Sequence, residues 1–273
     1  ATGAAGVTIM KSANTGFACR VAPAIGRLVV AFLLTIPGAR QRTTAQETAS
    51  SSPVSAARPG VRLENAHLAV VLDPGTGGFV SVFDKRSRSE YIGAPDRALL
   101  FRFIVPEGDI LGGHLDAANP RIAVDGQTAT LDYGSDGIGA TAVLRLEDDA
   151  IVAALSVTNA GRRIVEETIF PWVRGLAPVP DASLIGPSMF GRRIRDPLGT
   201  GLDRDHRTWN EGGQKRVFRY PQHLASAWYE FGNGERGIAL EGRHTDFSIM
   251  DFFIHKVVEK DREPIRRTLD LAV

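Results

Sequence analysis

From Val61 onward, the chain alternates short apolar segments with turn residues, at the lengths that β-strands have. In one segment, Leu144 and Leu146 alternate with Arg145 and Glu147, which is the period-2 pattern of a strand with one buried face. No apolar pattern of helical period extends over three turns after residue 60. Strands that recur every 8–12 residues or so, separated by Gly and Pro turns, are typical of antiparallel sandwiches. The pattern therefore predicts an all-β fold, an antiparallel two-sheet β-sandwich.

Three hairpins can be located from their turn residues. In the first, Asp73-Pro74-Gly75 joins two apolar strands, because proline presets φ and glycine accepts a positive φ. In the second, Asp125-Gly126 is a strong short hairpin signal. The third hairpin returns along a strand whose apolar residues share one face and which ends at 159–161. These residues are Ile151, Ala153, Leu155 and Val157.

The stretch WYEFGNGERGIAL contains Gly232, Gly234 and Gly237 in the spacing of a dinucleotide-binding loop. Such a loop needs a buried parallel strand before it, a helix after it and a ribose-binding acid further along the chain. Glu259 stands near the required distance, but Gly242 and β-branched residues disfavour the helix and too little chain follows. The stretch is therefore predicted to be a hairpin turn between two strands, residues 225–231 and 237–241.

The first 45 residues resemble an export signal. Lys11 follows Met10, and an apolar run over 28–36 is long enough for a signal peptide but too short to cross a bilayer. The sequence predicts a signal peptide over 1–45 that starts at Met10 and is cleaved before Gln46. A short membrane anchor and a misassigned start are the alternatives. Cleavage would place the protein in the periplasm or outside a bacterial cell, with no further membrane contact.

Residues 46–60 form a Ser/Ala/Pro-rich stretch without periodicity, which is predicted to be a flexible linker before a β-sandwich domain over 61–273. The single cysteine, Cys19, lies before the apolar run, so the mature chain would have no disulfide and no cysteine metal ligand. The five basic residues before position 46 account for the positive net charge. The remaining body is mildly acidic, which argues against nucleic acid as a partner.

Several short motifs follow one another along about 200 residues in an order that resembles one known family. They are Asn65, Asp73 to Gly77, Asp84-Lys85, Phe170-Pro171, Pro187, Gly191, Tyr220-Pro221, Trp228-Tyr229, Gly237 and Asp246. The chain is similar to the galactose-mutarotase-like β-sandwich (supersandwich) that precedes a catalytic barrel in several glycoside-hydrolase-type proteins.

This resemblance implies a non-catalytic, carbohydrate-associated module of a secreted glycoside-hydrolase-type protein. The family's (β/α)₈ barrel needs about 250 residues, which do not fit here. We therefore expect a fragment whose sandwich is truncated at its C-terminus and whose partner is the absent barrel. The alternatives are a stand-alone carbohydrate-binding protein and a small aldose epimerase or lyase.

Carbohydrate binding needs aromatic rings that stack on sugar faces, together with planar polar groups that pair with hydroxyls. The segment 204–229 is rich in both, and its loop over 203–216 is the predicted rim. The candidates for carbohydrate contact are Trp209, Asn210, Arg219, Tyr220, His223, Trp228, Tyr229, His244 and Asp246. Period 2 places Trp228 and Glu230 on one face of their strand, with Tyr229 and Phe231 on the other.

Catalysis by the sandwich itself would need two carboxyl groups in one cleft. The candidates are Glu230, Glu241, Asp246 and Asp251, and the sequence pairs none of them. His244 and Asp246 share a strand face, which is a weak metal signal that a polar strand end explains better. No phosphate-binding loop and no nucleophile elbow is present. We therefore expect no catalytic residue, metal or cofactor.

Overall fold

The computed structural model describes residues 60–105, 113–135, 137–188, 191–199, 214–242 and 249–273, and the backbone alone of 3–7, 30–35, 204–205 and 243. The first strands are β1 (Gly3–Val7), β2 (Val30–Thr35), β3 (Val61–Glu64), β4 (Leu68–Leu72), β5 (Phe79–Asp84), β6 (Ser89–Glu90), β7 (Arg102–Val105), β8 (Gly113–Asp116), β9 (Arg121–Asp125), β10 (Thr128–Ser135) and β11 (Ile138–Glu147). The others are β12 (Ala150–Asn159), β13 (Glu167–Ile169), β14 (Trp172–Leu176), β15 (Ser183–Gly186), β16 (Arg192–Arg195), β17 (Arg204–Asp205), β18 (Gln214–Tyr220), β19 (Trp228–Gly232), β20 (Gly237–Arg243), β21 (Met250–Glu259) and β22 (Arg266–Ala272).

The strands form five hydrogen-bonded groups, and every pair within them is antiparallel. Sheet I has the order β14-β22-β21-β18-β17, and sheet II the order β16-β15-β19-β20-β2. Sheet III runs β1-β12-β11-β10-β9, sheet IV β3-β4-β5-β6 and sheet V β13-β7-β8. Among the described residues, the only helical element is a 3₁₀ turn, Pro95–Arg97. In the same part of the chain, no helix has the length and apolarity needed to cross a membrane.

Sheets I and II pack face to face through aromatic side chains. The Tyr229 ring of sheet II lies 4.9 Å from the Phe218 ring and 6.2 Å from the Phe252 ring of sheet I, measured between centroids. Buried leucines and isoleucines from all five sheets continue this core, and burial of each such side chain contributes about 1.5–3 kcal/mol. The predicted all-β sandwich is confirmed.

The three predicted hairpins are confirmed, and so is the turn at Gly232, but in the first hairpin the glycine with a positive φ is Gly77, at 72°, and not Gly75. Asp73 caps the β4–β5 turn, because its Oδ1 accepts hydrogen bonds from the backbone N–H groups of Gly75 and Thr76 at 2.8 Å. Gly126 adopts a φ of 55° between β9 and β10. In the GNGERG turn, Asn233 Oδ1 accepts from two backbone N–H groups while Gly234 has a φ of 88°. The glycines of this stretch therefore make a hairpin turn.

Strands β1 and β2 belong to the segment that the sequence predicts to be a signal peptide. Gly3–Val7 pairs with β12, and residues of Val30–Thr35 pair with β20. Removal of residues 1–45 would take both strands away and expose the edges of β12 and β20. The signal peptide stays a prediction, as do the linker over 46–60 and the truncated sandwich over 61–273.

Candidate functional site

Two of the predicted carbohydrate contacts lie on the outer face of sheet I. Arg219 is exposed on β18, and its Nε and Nη2 donate to the two carboxylate oxygens of Asp251 at 2.8 and 2.7 Å. His223 lies in the turn after β18, where its Nδ1 accepts from the backbone N–H of Arg219 at 3.1 Å. This ion pair gives the surface one planar charged group, the guanidinium of Arg219. Both oxygens of the Asp251 carboxylate already bind that guanidinium.

Two further candidates are structural. Tyr229 is buried in the core between the two sheets, 2% exposed, so it cannot reach a ligand on the surface. Tyr220 is partly buried and packs against the same core. The alternation predicted for β19 is confirmed, since Tyr229 and Phe231 are buried while Trp228 and Glu230 are partly exposed.

Trp228 stands on the outer face of sheet II together with two carboxyl groups. It lies opposite Glu241 in the β19–β20 pair, and Glu230 lies opposite Ala239 on the same face. Glu230 and Glu241 are therefore diagonal neighbours, and residues so placed in a strand pair are about 7–8 Å apart. We call Trp228, Glu230 and Glu241 the Trp228 patch. All three side chains are partly exposed, and burial raises the pKa of Glu230.

The predicted contacts that lie in the described part of the chain are not brought into one site. Sheets I and II bury their aromatic faces against each other, so the outer faces that carry Arg219 and Trp228 point away from each other. Trp209, Asn210, His244 and Asp246 lie outside the described residues. Of the four candidate carboxylates, Glu230 and Glu241 share a face, whereas Asp251 is on the other sheet.

A cluster of buried charges on sheet I was not predicted. His255 lies opposite both Asp270 and Lys215 in the register, and each of the three side chains is at most 1% exposed. Asp270 accepts hydrogen bonds from Arg97 Nη2 at 2.7 Å and from the backbone N–H of Gly175 at 2.8 Å. Its Oδ2 also lies 3.3 Å from His255 Nδ1.

The electrostatics of this cluster keep Asp270 ionised. Burial by itself raises the pKa of Asp270, but the adjacent His255 side chain and the charges of Arg97 and Arg174 outweigh it. The net result is a pKa below the ordinary value of an aspartate. Arg97 also donates to Thr268 Oγ1 at 3.0 Å, so the 3₁₀ turn is fastened to β22 through two side chains.

The Asp270 cluster has the groups for acid–base chemistry, but Asp270 is 0% exposed and His255 1% exposed, so a substrate cannot reach them. We therefore assign the cluster to the fold, where it joins the 3₁₀ turn, β14 and β22. The sequence signal that could have revealed it is a charge within an apolar strand, as in Leu269-Asp270-Leu271. No group of three or more His, Cys, Asp or Glu side chains is arranged to hold a metal ion within the described ranges.

Two of the motifs that carry the family resemblance, at Asn65 and Asp84, serve the fold rather than a site. Asn65 Oδ1 accepts from the backbone N–H groups of His67 and Leu68, which closes the β3–β4 turn. Asp84 is buried and accepts hydrogen bonds from Arg86 N and Ser87 Oγ. These residues therefore indicate an architecture and not a chemistry.

Comparison with solved structures gives a likeness in fold to a protein of known structure. A galactose mutarotase-like protein from Lactobacillus casei ATCC 334 superposes with a TM-score of 0.43 at 11% sequence identity, over 78% of this chain and 87% of that chain. No protein-family profile and no curated protein matches the sequence. A likeness at this level assigns neither an activity nor a binding site to the chain.

Proposed function

We propose that this protein is a carbohydrate-binding β-sandwich and that it acts as a non-catalytic module of a secreted, glycoside-hydrolase-type protein. The single observation that carries the proposal is the Trp228 patch on the outer face of sheet II. Bacterial export rests on the signal peptide predicted over 1–45, and the catalytic barrel as a partner rests on the resemblance of the sequence motifs.

The chemistry of the patch suits a sugar. An indole ring offers a flat apolar surface, against which the C–H face of a pyranose can pack, and its burial removes apolar area from water. A carboxylate accepts hydrogen bonds through two oxygens, so Glu230 and Glu241 can pair with hydroxyl groups at the edge of the ring. Because the strands hold all three side chains on one face, little conformational entropy is lost on binding.

The experiment is affinity electrophoresis in native gels that contain soluble polysaccharides, namely xylan, galactomannan, mixed-linkage β-glucan and pectin. We expect at least one of them to retard the wild-type protein and the retardation to fall at least fivefold in W228A. The matched control is E235Q, because Glu235 is exposed in the turn of the same hairpin, outside the patch. E230Q and E241Q should weaken binding, whereas E235Q should not.

Two results would contradict the proposal. One is that no polysaccharide retards the wild-type protein although it is folded by circular dichroism. The other is that W228A keeps wild-type retardation on every polysaccharide that binds. The proposed barrel is tested separately, by reading the gene downstream of the Val273 codon for alternating β and α segments.

A further inference from the structure

Strand β9, with the sequence Arg-Ile-Ala-Val-Asp over 121–125, lies at the edge of sheet III. Among the strands that the structure describes, it is hydrogen-bonded to β10 on one side and to no strand on the other. Four of its five residues are exposed, and Ile122 is half-buried. An edge strand presents a row of N–H and C=O groups on which another strand can pair. The edge of β9 is therefore a surface suited to a strand.

The hydrogen bonds within sheet III show which backbone groups of β9 face outward. The backbone N–H of Leu146 in β11 donates to the carbonyl of Gln127 at 2.9 Å, so Gln127 faces β11. Because bonded and non-bonded pairs alternate along an antiparallel ladder, the next residue, Thr128, faces β9 and the last residue of that strand. The same alternation along β9 turns the N–H and C=O groups of Ile122 and Val124 away from β10. These four groups are the ones that a further strand would meet.

The side chains of β9 lie on two faces that differ in chemistry. Ile122 and Val124 stand opposite residues of β10 that are fully buried, so both belong to the core face of sheet III. Val124 is nevertheless 49% exposed at this edge. The other face carries Arg121, Ala123 and Asp125, all exposed, with a positive charge at one end and a negative charge at the other. The edge thus combines an apolar strip on one face with two opposite charges on the other.

The sequence of β9 is complementary to itself in the antiparallel direction. When two copies pair about a twofold axis at Ala123, each Arg121 stands opposite Asp125 of the second copy, and opposite charges so placed are favourable. In the same register each Ile122 stands opposite Val124 of the second copy, so the outward backbone groups of both copies form four N–H···O bonds. Centring the axis on Ile122 or on Val124 would break both charge pairs. The charges therefore select the register at Ala123.

We infer that two copies of this chain associate through β9, antiparallel about a twofold axis at Ala123, so that sheet III continues from one copy into the other. Val124 of each copy is then covered by Ile122 of the second copy, and the core face extends across the axis. Five residues from each copy are fewer than the roughly 20–30 a side of a stable complex, so we expect a weak dimer with a Kd on the order of 10 μM. The inference goes beyond the proposed function, because β9 contains no residue of the Trp228 patch.

The experiment is sedimentation velocity of the full chain at concentrations from about 1 to about 200 μM, a range that brackets the expected Kd. We expect the average mass to rise from that of a monomer towards that of a dimer. R121E places like charges opposite each other at both ends of the ladder and should raise the Kd at least tenfold. R121E/D125R exchanges the two charges and should return the Kd to within about threefold of wild type. The matched control is R192E, which should leave the Kd unchanged, because Arg192 is an exposed arginine in β16, the edge strand of sheet II.

A disulfide provides a second measurement that does not depend on the charges. In the inferred dimer the two Ala123 residues form a non-hydrogen-bonded pair with their Cα atoms about 4.5 Å apart, which is within reach of a disulfide. C19S/A123C has no other thiol and should form a covalent dimer on oxidation. C19S/T130C is the matched control and should not, because Thr130 lies opposite Ala123 on β10, one strand further from the axis.

Four results would overturn the inference, with circular dichroism showing that each protein is folded. The first is a wild-type protein that stays monomeric up to the highest concentration. The second is an equal effect of R121E and R192E on the Kd. The third is an R121E/D125R protein that associates no better than R121E. The fourth is a C19S/T130C protein that forms the covalent dimer as fast as C19S/A123C.

Discussion

Replacing Asp270 by asparagine should destabilise the protein strongly. Asp270 is fully buried and bonded to Arg97, and Arg174 Nε lies 3.7 Å from its Oδ2. The asparagine side chain would keep the shape of Asp270 and lose its charge, which removes the carboxylate that faces two nearly buried guanidinium groups. Such a change costs about 3–5 kcal/mol. A domain of this size loses about 2–4 °C per kcal/mol, so the Tm should fall by roughly 6–20 °C.

The assay is urea and thermal unfolding of wild-type, D270N and D251N proteins, followed by circular dichroism. D251N is the matched control, because Asp251 is on the same sheet and also binds an arginine through both oxygens. That arginine, Arg219, is half exposed, and surface pairs add little to stability. A pair worth at most about 1 kcal/mol should therefore change the Tm of D251N by no more than about 4 °C.

The difference between wild type and D270N should depend on pH with a defined sign. Because the folded-state pKa of Asp270 is lowered, its contribution is complete above the unfolded pKa of about 4 and is lost as the pH falls through the folded value. The gap in Tm should thus be constant above about pH 5 and shrink in stronger acid. A cost of D270N no larger than that of D251N, or a gap that widens as the pH falls, would refute this reasoning.

Three further predictions concern other positions. Burial raises the pKa of Glu230, so the folded protein loses stability as this carboxyl group ionises above about pH 4. The Tm of E230Q should therefore equal that of wild type at pH 4 and exceed it at pH 8. The reverse order of the two Tm values would refute this. G77A should cost about 1–3 kcal/mol more than G126A in urea unfolding, because both have positive φ but only a Cβ at Gly77 overlaps Tyr133, and equal costs would contradict this. If the signal peptide predicted over 1–45 directs export, intact-mass analysis of the protein expressed in a bacterium should give an N-terminus at Gln46, and a product that retains residues 30–35 would refute cleavage there.

Local chemistry determined what could be predicted from the sequence. The hairpins at 73–77, Gly126 and Gly234 follow from turn residues that are adjacent in the chain, and strand alternation correctly placed Tyr229 and Phe231 on one face. Alternation did not reveal that this face is the core, so Tyr229 was also predicted as a carbohydrate contact. These features need only neighbouring residues, so a single sequence suffices to locate them.

The arrangement of the candidate sites depends on contacts between distant residues, which alternation does not reveal. Trp228 and Arg219 are nine positions apart but lie on opposite faces of the sandwich, because β18 and β19 belong to different sheets. Arg97 and Asp270 are 173 residues apart and bond directly. Likewise, the rings of Phe101 and Tyr133 meet only after sheets V and III have packed. A single sequence contains the residue types of these sites but not their proximity.

The position of β22 sets the order in which the molecule can assemble during synthesis. β22 lies between β14 and β21 in sheet I, and Asp270 lies 95 residues after the Gly175 N–H that it binds. A ribosome that adds about 5–20 residues per second leaves β14 without this neighbour for about 5–20 s. Sheet I can therefore close only when the nascent chain has reached its last strand, and until then the apolar edge of β14 is a surface that a chaperone can hold.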